Sequence, residues 1–122
     1  MVSNPVGWFE IYVQDISRAK TFYESVFEVK LVRLNNPIEI WGFPMTMEKY
    51  GASGALVKID GVSSGGNSTL VYFSCADCTI TANRFTQYGG QVHREKMSIG
   101  EYGFIALVVD TEGNMVGLHS RQ

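Results

Sequence analysis

Two stretches decide the fold: WFEIYVQDISRAKTFYESVF at residues 8–27 and LVYFSCADCTITANRFTQY at residues 70–88. In each, an aspartate follows a strand-like run and opens a helix-like one. Asp15 and Asp77 are 62 positions apart. Before Asp15, Phe9, Ile11 and Val13 alternate with polar or amphipathic neighbours; before Asp77, Val71, Phe73 and Cys75 do the same. Period two means a strand with one apolar face. After Asp15, residues Ile16, Ala19, Phe22, Tyr23, Val26 and Phe27 recur at helical spacing, which buries one stripe. The Asp15 carboxylate can accept the orphan N–H groups of the first helical turn. The second helix, about 78–88, carries Ile80, Phe85 and Tyr88 as its expected face, and Gly89-Gly90 stops it, because glycine accepts left-handed geometry.

Carried along the chain, the same offset places Glu48-Lys49-Tyr50-Gly51 on Asp110-Thr111-Glu112-Gly113, Leu56 on Leu118, and Glu39 on Glu101. Three strand-like runs follow each helix, at about 29–34, 39–47 and 53–60, then at about 91–95, 103–109 and 114–120. A Gly/Ser-rich segment at about 61–67 reads as a linker between modules at about 1–60 and about 68–122. The order βαβββ-βαβββ predicts an α+β fold: tandem modules forming two four-stranded mixed sheets within one domain, 1–122.

Composition narrows the function classes. With 122 residues, 45% hydrophobic and 18% charged, the chain can bury a core without staples. Net charge is −2 and no basic run occurs, so no nucleic-acid partner is expected. No apolar stretch approaches about 18 residues, so no membrane span is expected. The start, Met1 to Pro5, lacks the apolar core of a signal peptide. Two cysteines are too few for a disulfide scaffold, and a cytoplasmic location is the expectation.

Trp8-Phe9-Glu10-Ile11, then Asp15, Arg18-Ala19 and Phe22-Tyr23, resemble the opening of vicinal-oxygen-chelate proteins. That superfamily includes glyoxalase I, extradiol dioxygenases and bleomycin-resistance proteins. Asp110-Thr111-Glu112-Gly113-Asn114 resembles its Asp-Pro-Asp-Gly-Asn turn, with threonine in place of proline. The resemblance covers nearly the whole chain and implies a ligand groove between the sheets and a homodimer. It also implies four metal-ligand positions, here Trp8, Ala55, Leu70 and Gly117. None of these side chains coordinates a divalent cation, which needs His, Cys, Asp or Glu. Neither a metal nor another cofactor is therefore expected. Glu10 and His119 lie two residues along the same strand faces, where they would make only a poor, displaced metal site.

Alternation sends Trp8, Glu10 and Tyr12 to the face away from the helices, and the offset sends Leu70, Tyr72 and Ser74 with them. Val57 and His119 join from the fourth strands, while Leu56 and Leu118 pack beneath the helices. An aromatic groove with one carboxylate, one imidazole and hydroxyls suits a small molecule. Trp8, Tyr12, Leu70, Tyr72 and Ser74 are the candidate ligand contacts; Glu10 and His119 are the candidate catalytic pair. Trp8 and Tyr72 also suit a plain filling role, and Glu10 with His119 a structural contact. His93 reads as surface. Cys75-Ala76-Asp77-Cys78 spells CxxC, but the offset maps the two thiols onto Val13 and Ile16, so they read as small core residues. There is no phosphate-binding glycine loop and no nucleophile elbow.

Beside an accessory or structural dimer with a closed groove, two functions remain open. One is a metal-independent enzyme, such as a lyase or isomerase, acting on a small organic substrate through Glu10 and His119. The other is a binding protein that holds a flat or cationic compound by stacking and charge.

Overall fold

The computed structural model of the chain describes residues 8–34, 36–46, 48, 51–67 and 69–122. Lys49 and Tyr50, in the first of the two matched turns, lie outside the described residues. The first module comprises β1 (Trp8–Tyr12), α1 (Ile16–Phe27), β2 (Val32–Arg33), β3 (Glu39–Gly42) and β4 (Ser53–Lys58). The second comprises β5 (Tyr72–Ser74), α2 (Cys78–Gln87), β6 (Gln91–Ser98), β7 (Phe104–Val109) and β8 (Met115–Ser120), with a 3₁₀ turn at Gly100–Tyr102. They form two four-stranded sheets, β1-β4-β3-β2 and β5-β8-β7-β6. In each, the first strand runs parallel to the fourth and the other pairs are antiparallel. This is the expected mixed α+β architecture.

The registers carry the internal repeat into three dimensions. Glu10 pairs with Ala55 and Ile11 with Leu56. Tyr72 pairs with Gly117 and Phe73 with Leu118, so the outer ladder is reproduced at the 62-residue offset. The third strands break it. Ile40 pairs with Val57 as Ile105 pairs with His119, an offset of 65 from position 40 to position 105. Glu39 therefore corresponds to Phe104, and the match of Glu39 to Glu101 is a coincidence of spacing. The second module spends three extra residues before its third strand, where β6 runs on through two register shifts, and recovers them in a shorter β7–β8 turn.

Strand lengths differ from expectation for local reasons. β2 starts late because two preceding N–H groups are already used. Val29 donates to the Glu24 carbonyl at 3.2 Å and Leu31 to the Glu24 carboxylate at 2.8 Å. After β3, Phe43 still donates to Gly54 at 2.9 Å. Pro44 then has no N–H to continue the ladder. In α2 the buried face is Cys78, Thr81, Ala82 and Phe85. Ile80 and Tyr88, expected inside, are exposed.

Both helices are capped as their sequences predict. Asp15 accepts the Arg18 N–H at 3.0 Å and Asp77 accepts the Thr79 N–H at 2.8 Å. The inward faces of both sheets and both helices share one core that includes Ile11, Tyr23, Leu56, Phe85, Val108 and Leu118. Aromatic rings join the modules. Phe27 stacks on Phe73 with centroids 4.6 Å apart, and Phe22 meets Phe85 edge-on at 5.1 Å. Both spacings lie in the favourable range for such pairs.

A second junction is polar. The turn after β7 folds over the start of α1. Tyr23 donates its hydroxyl to Asp110 at 2.7 Å, and Asp110 also accepts the N–H groups of Glu112 and Asn114, each at 2.8 Å. Glu112 accepts the Gln14 and Asp15 N–H groups at 3.1 Å and a bidentate Arg18 at 2.6 and 2.9 Å. Burial works to raise the Glu112 carboxyl, but Arg18 and these N–H groups outweigh it and bring it down to about 2. Asp110 goes the other way: burial pushes it up despite its donors.

The depressed Glu112 carboxyl adds stability that is fully present above the normal glutamate range, near pH 4.5, and is lost as pH falls toward 2. Asp110 opposes this, since its raised folded value favours the protonated form. Arg18 is half exposed, so the low end of the cost of breaking a buried pair applies. Glu112→Gln should cost about 3 kcal/mol at pH 7 in denaturant unfolding. The gap to the parent should close toward pH 2.5, well below the unfolded glutamate value of about 4.3. A gap independent of pH would show that ionisation of Glu112 does not hold the junction.

Candidate functional site

β8 is the strand that builds the main cavity. Alternation puts Val116, Leu118 and Ser120 in the core and Met115, Gly117 and His119 on the outer face. The neighbours pair accordingly: Ser74 and Ile105 flank His119, while Tyr72 and Leu107 flank Gly117. A Cβ on Gly117 would collide with the Tyr72 ring. Only glycine lets that tyrosine lie across the strand.

An open cavity of about 1130 Å³ lies against this strand end and against Phe43, Pro44, Gly51, Ala52 and Ser53 of the first module. Tyr72, Ser74, His119 and Arg121 line one side, with Phe43 and Ser53 opposite. His119 Nε2 lies 2.7 Å from the Tyr102 carbonyl oxygen. A carbonyl only accepts, so Nε2 carries the proton, and Nδ1 is the ring position left to exchange one.

The structure separates the expected catalytic pair. Glu10 lies on the outer face of β1, where Tyr12 donates to it at 2.8 Å and Trp8 at 3.3 Å. The hydrogen bond to Glu10 raises the Tyr12 hydroxyl above its usual value. Glu10 and Tyr12 line a second, smaller cavity of about 240 Å³ with Asn67 and Met115. Among the described residues, no hydrogen bond or ion pair joins Glu10 to His119. Of the expected contacts, Tyr72, Ser74 and His119 come together at the large cavity, and Glu10 and Tyr12 at the small one. Trp8 and Leu70 line neither. Val57 is buried and lines neither.

Sequence reading missed Arg121, Ser53, Phe43 and Ile105. Arg121 had a usable signal: extending the β8 alternation by one step, from 117 and 119, reaches it. Phe43, just past β3, and Ser53, at the start of β4, had none, because nothing in a linear pattern shows which part of one module faces the strand end of the other.

The four family metal positions do not fit a cation. Trp8, Ala55, Leu70 and Gly117 offer no ligating side chain, and the Tyr72 ring fills the space above Gly117. Among the described residues, no three His, Cys, Asp or Glu side chains cluster to replace them.

Of the CxxC thiols, Cys75 lines this cavity and Cys78 lies behind it. Cys78 is buried, with the Ser120 hydroxyl donating to its sulfur at 3.2 Å. Burial pushes the Cys75 thiol up to about 11, the opposite of what a reactive thiol needs.

Fold and cavity together define a two-module βαβββ protein with an open pocket at the end of its β8 strand. The sequence profile of the Glyoxalase/Bleomycin resistance protein/Dioxygenase superfamily matches residues 6–118, and the chain belongs to that superfamily. No curated protein matches it significantly. Among solved structures, a glyoxalase/bleomycin resistance protein/dioxygenase family enzyme from Burkholderia phytofirmans superposes with TM-score 0.74 at 14% identity, covering 95% of this chain and 98% of its own. The genomically encoded fosfomycin resistance protein FosX from Listeria monocytogenes gives 0.71 at 14% identity, with coverage of 100% and 94%. Glyoxalase I from Zea mays gives 0.71 at 23% identity, with 96% of this chain matching 46% of that longer one.

Native thiol labelling at pH 7.4 should be slow at both cysteines, and Cys78→Ala should cost about 1 kcal/mol through lost packing. Labelling as fast as in the unfolded chain would show that the motif is accessible and reactive.

Proposed function

We propose that the protein binds a small organic molecule in the cavity beside His119 and does so without a resident divalent metal. The observation that carries the reading is the convergence of Tyr72, Ser74 and His119 on one apolar-walled cavity. That combination of apolar walls and a few fixed polar groups is typical of ligand sites. His119, fixed through Nε2, is its proton-moving group, which suits a metal-independent lyase or isomerase. A second reading, a non-catalytic sequestering protein, is favoured by one fact: Glu10, the intended partner of His119, faces a different cavity. Metal independence rests on the donor-poor set at positions 8, 55, 70 and 117.

The protein is also proposed to be a homodimer. Trp8, Val32 and Met97 are large apolar side chains that are exposed. A second copy would cover them, and closed dimers are the commonest assembly. An intracellular, cytoplasmic setting fits the unpaired thiols. Among the described residues, no helix is long and apolar enough to cross a membrane.

Elemental analysis of purified protein should find only substoichiometric zinc, nickel, iron or manganese; about one ion per chain would refute metal independence. Light scattering at micromolar concentration should give twice 13.6 kDa, and a mass at the monomer value would refute the dimer.

A thermal-shift screen of small acids, ketones and amines should yield hits. A ligand at 100 times its Kd adds about 2.7 kcal/mol, which moves the midpoint by several degrees. His119→Ala should remove the shift and leave the unliganded midpoint nearly unchanged. Turnover lost with it would select the enzyme; binding without turnover, the sequestering protein.

A further inference from the structure

The charge inventory of the large cavity is one-sided. Among its described lining residues, no aspartate or glutamate occurs. The charge-bearing side chains there are Arg121 and, when doubly protonated, His119. Cys75 lies there too, but burial holds its thiol protonated, pushed up to about 11. Arg121 takes part in no ion pair among the described residues, although six such pairs engage other cations. In a chain of net charge −2, most positive groups find partners nearby. Arg18 meets Glu112, Arg84 meets Glu28, and Lys96 meets Asp77. Arg121 is left facing a cavity instead.

The hydroxyls agree with the charge. Ser53 donates to the carbonyls of Phe43 and Pro44 at 3.2 and 3.1 Å, so it is already spent. Ser74 and Tyr72 make no side-chain hydrogen bond among the described residues, and both flank the strand that carries His119. A guanidinium with no ion-pair partner among the described residues, an imidazole with one open nitrogen and two unspent hydroxyls form a donor-rich set. The guanidinium fork matches the paired oxygens of a carboxylate or phosphonate. Phe43 and Ile105 supply apolar wall beside it.

We infer that the ligand of this cavity is an organic anion, a carboxylate or phosphonate on an apolar body, with its charged end on Arg121 and His119. This rests on the reading of the cavity as a ligand site and departs from the cationic compound that the sequence-based binding-protein reading allowed. The carboxylate of Glu10, which suggested a cation, belongs to the other cavity.

The test holds the apolar body constant and varies the charge. Benzoate, phenylphosphonate, neutral benzamide and cationic benzylamine are titrated into full-length protein. Binding is followed through the His119 ring resonances and by calorimetry. The expected result is that benzoate or phenylphosphonate binds about tenfold or more tightly than benzamide, in line with a charge-assisted pair. Which of the two anions wins identifies the group. Benzylamine should leave the His119 signals unmoved. Arg121→Gln should erase the preference for the anion while leaving the unliganded melting midpoint unchanged. Arg94→Gln, an exposed arginine outside the cavity, controls for net charge and should keep the preference.

Equal binding of benzamide or benzylamine, or an anion preference that survives Arg121→Gln, would overturn the anion assignment and leave the cavity as a ligand site. If no probe moves the His119 resonances at millimolar concentration, both the anion assignment and the ligand-site reading fall.

Discussion

The turn from Asp110 to Asn114 is the constraint on which the arrangement of the two modules depends. Stacked aromatic rings also join them, but rings in an apolar interface can slide, since many packings bury similar area. The turn allows one register. Glu112 satisfies the N–H groups of Gln14 and Asp15 and grips Arg18 in a two-point contact. Asn114 donates to the Tyr12 carbonyl at 2.9 Å and accepts the Gly65 N–H at 2.6 Å. One five-residue turn thus ties the end of β1, the start of α1 and the segment between the modules. Each tie is directional, and a shift of one residue would leave a buried carboxylate unsatisfied, at a cost of several kcal/mol.

That junction also explains how Asp110 tolerates burial. Its carboxyl is pushed up by its surroundings, while Glu112 two residues on is pulled down to about 2. The two carboxylates share a turn but not a fate. Glu112 meets a cation, whereas Asp110 meets only neutral donors from Tyr23, Asn114 and the backbone. A neighbouring negative charge is tolerable because Arg18 compensates it. The polar junction therefore behaves as one unit, and removing one member should disturb the others non-additively.

Much of the fold was legible because period two and the capping aspartates are local signals. The ladder between first and fourth strands follows the 62-residue offset pair by pair, since both strands are pinned to the same capped helix start. The third strands are not pinned in this way. Three residues could move from the β7–β8 turn into β6 without altering either end, and the Glu39–Glu101 match was the casualty. The helix face of α2 was misread for a related reason: Ile80 and Tyr88 are apolar, but the small residues Cys78, Thr81 and Ala82 are what fit against the sheet. Apolarity alone does not report packing depth.

The site was legible only by face. Alternation correctly grouped Glu10 with Tyr12, and Tyr72 and Ser74 with His119, because face is a property of a single strand. Whether two faces open into one cavity is a property of how sheets are placed, and linear spacing carries none of it. The separation has a chemical consequence. The carboxylate on β1 is wrapped by its own neighbours Trp8 and Tyr12, so its charge is spent locally. The Arg121 guanidinium, just past the end of β8, has no ion-pair partner among the described residues. Repetition of one module has therefore produced two outer faces of opposite electrostatic character. They differ through a few positions in matched ladders: Glu10 against Tyr72 on the first strands, and Ala55 against Gly117 on the fourth. Tyr72 can occupy its place only because Gly117 leaves room for its ring. The residue that stands in place of a carboxylate in this half of the repeat is the same one whose ring fills the space above Gly117.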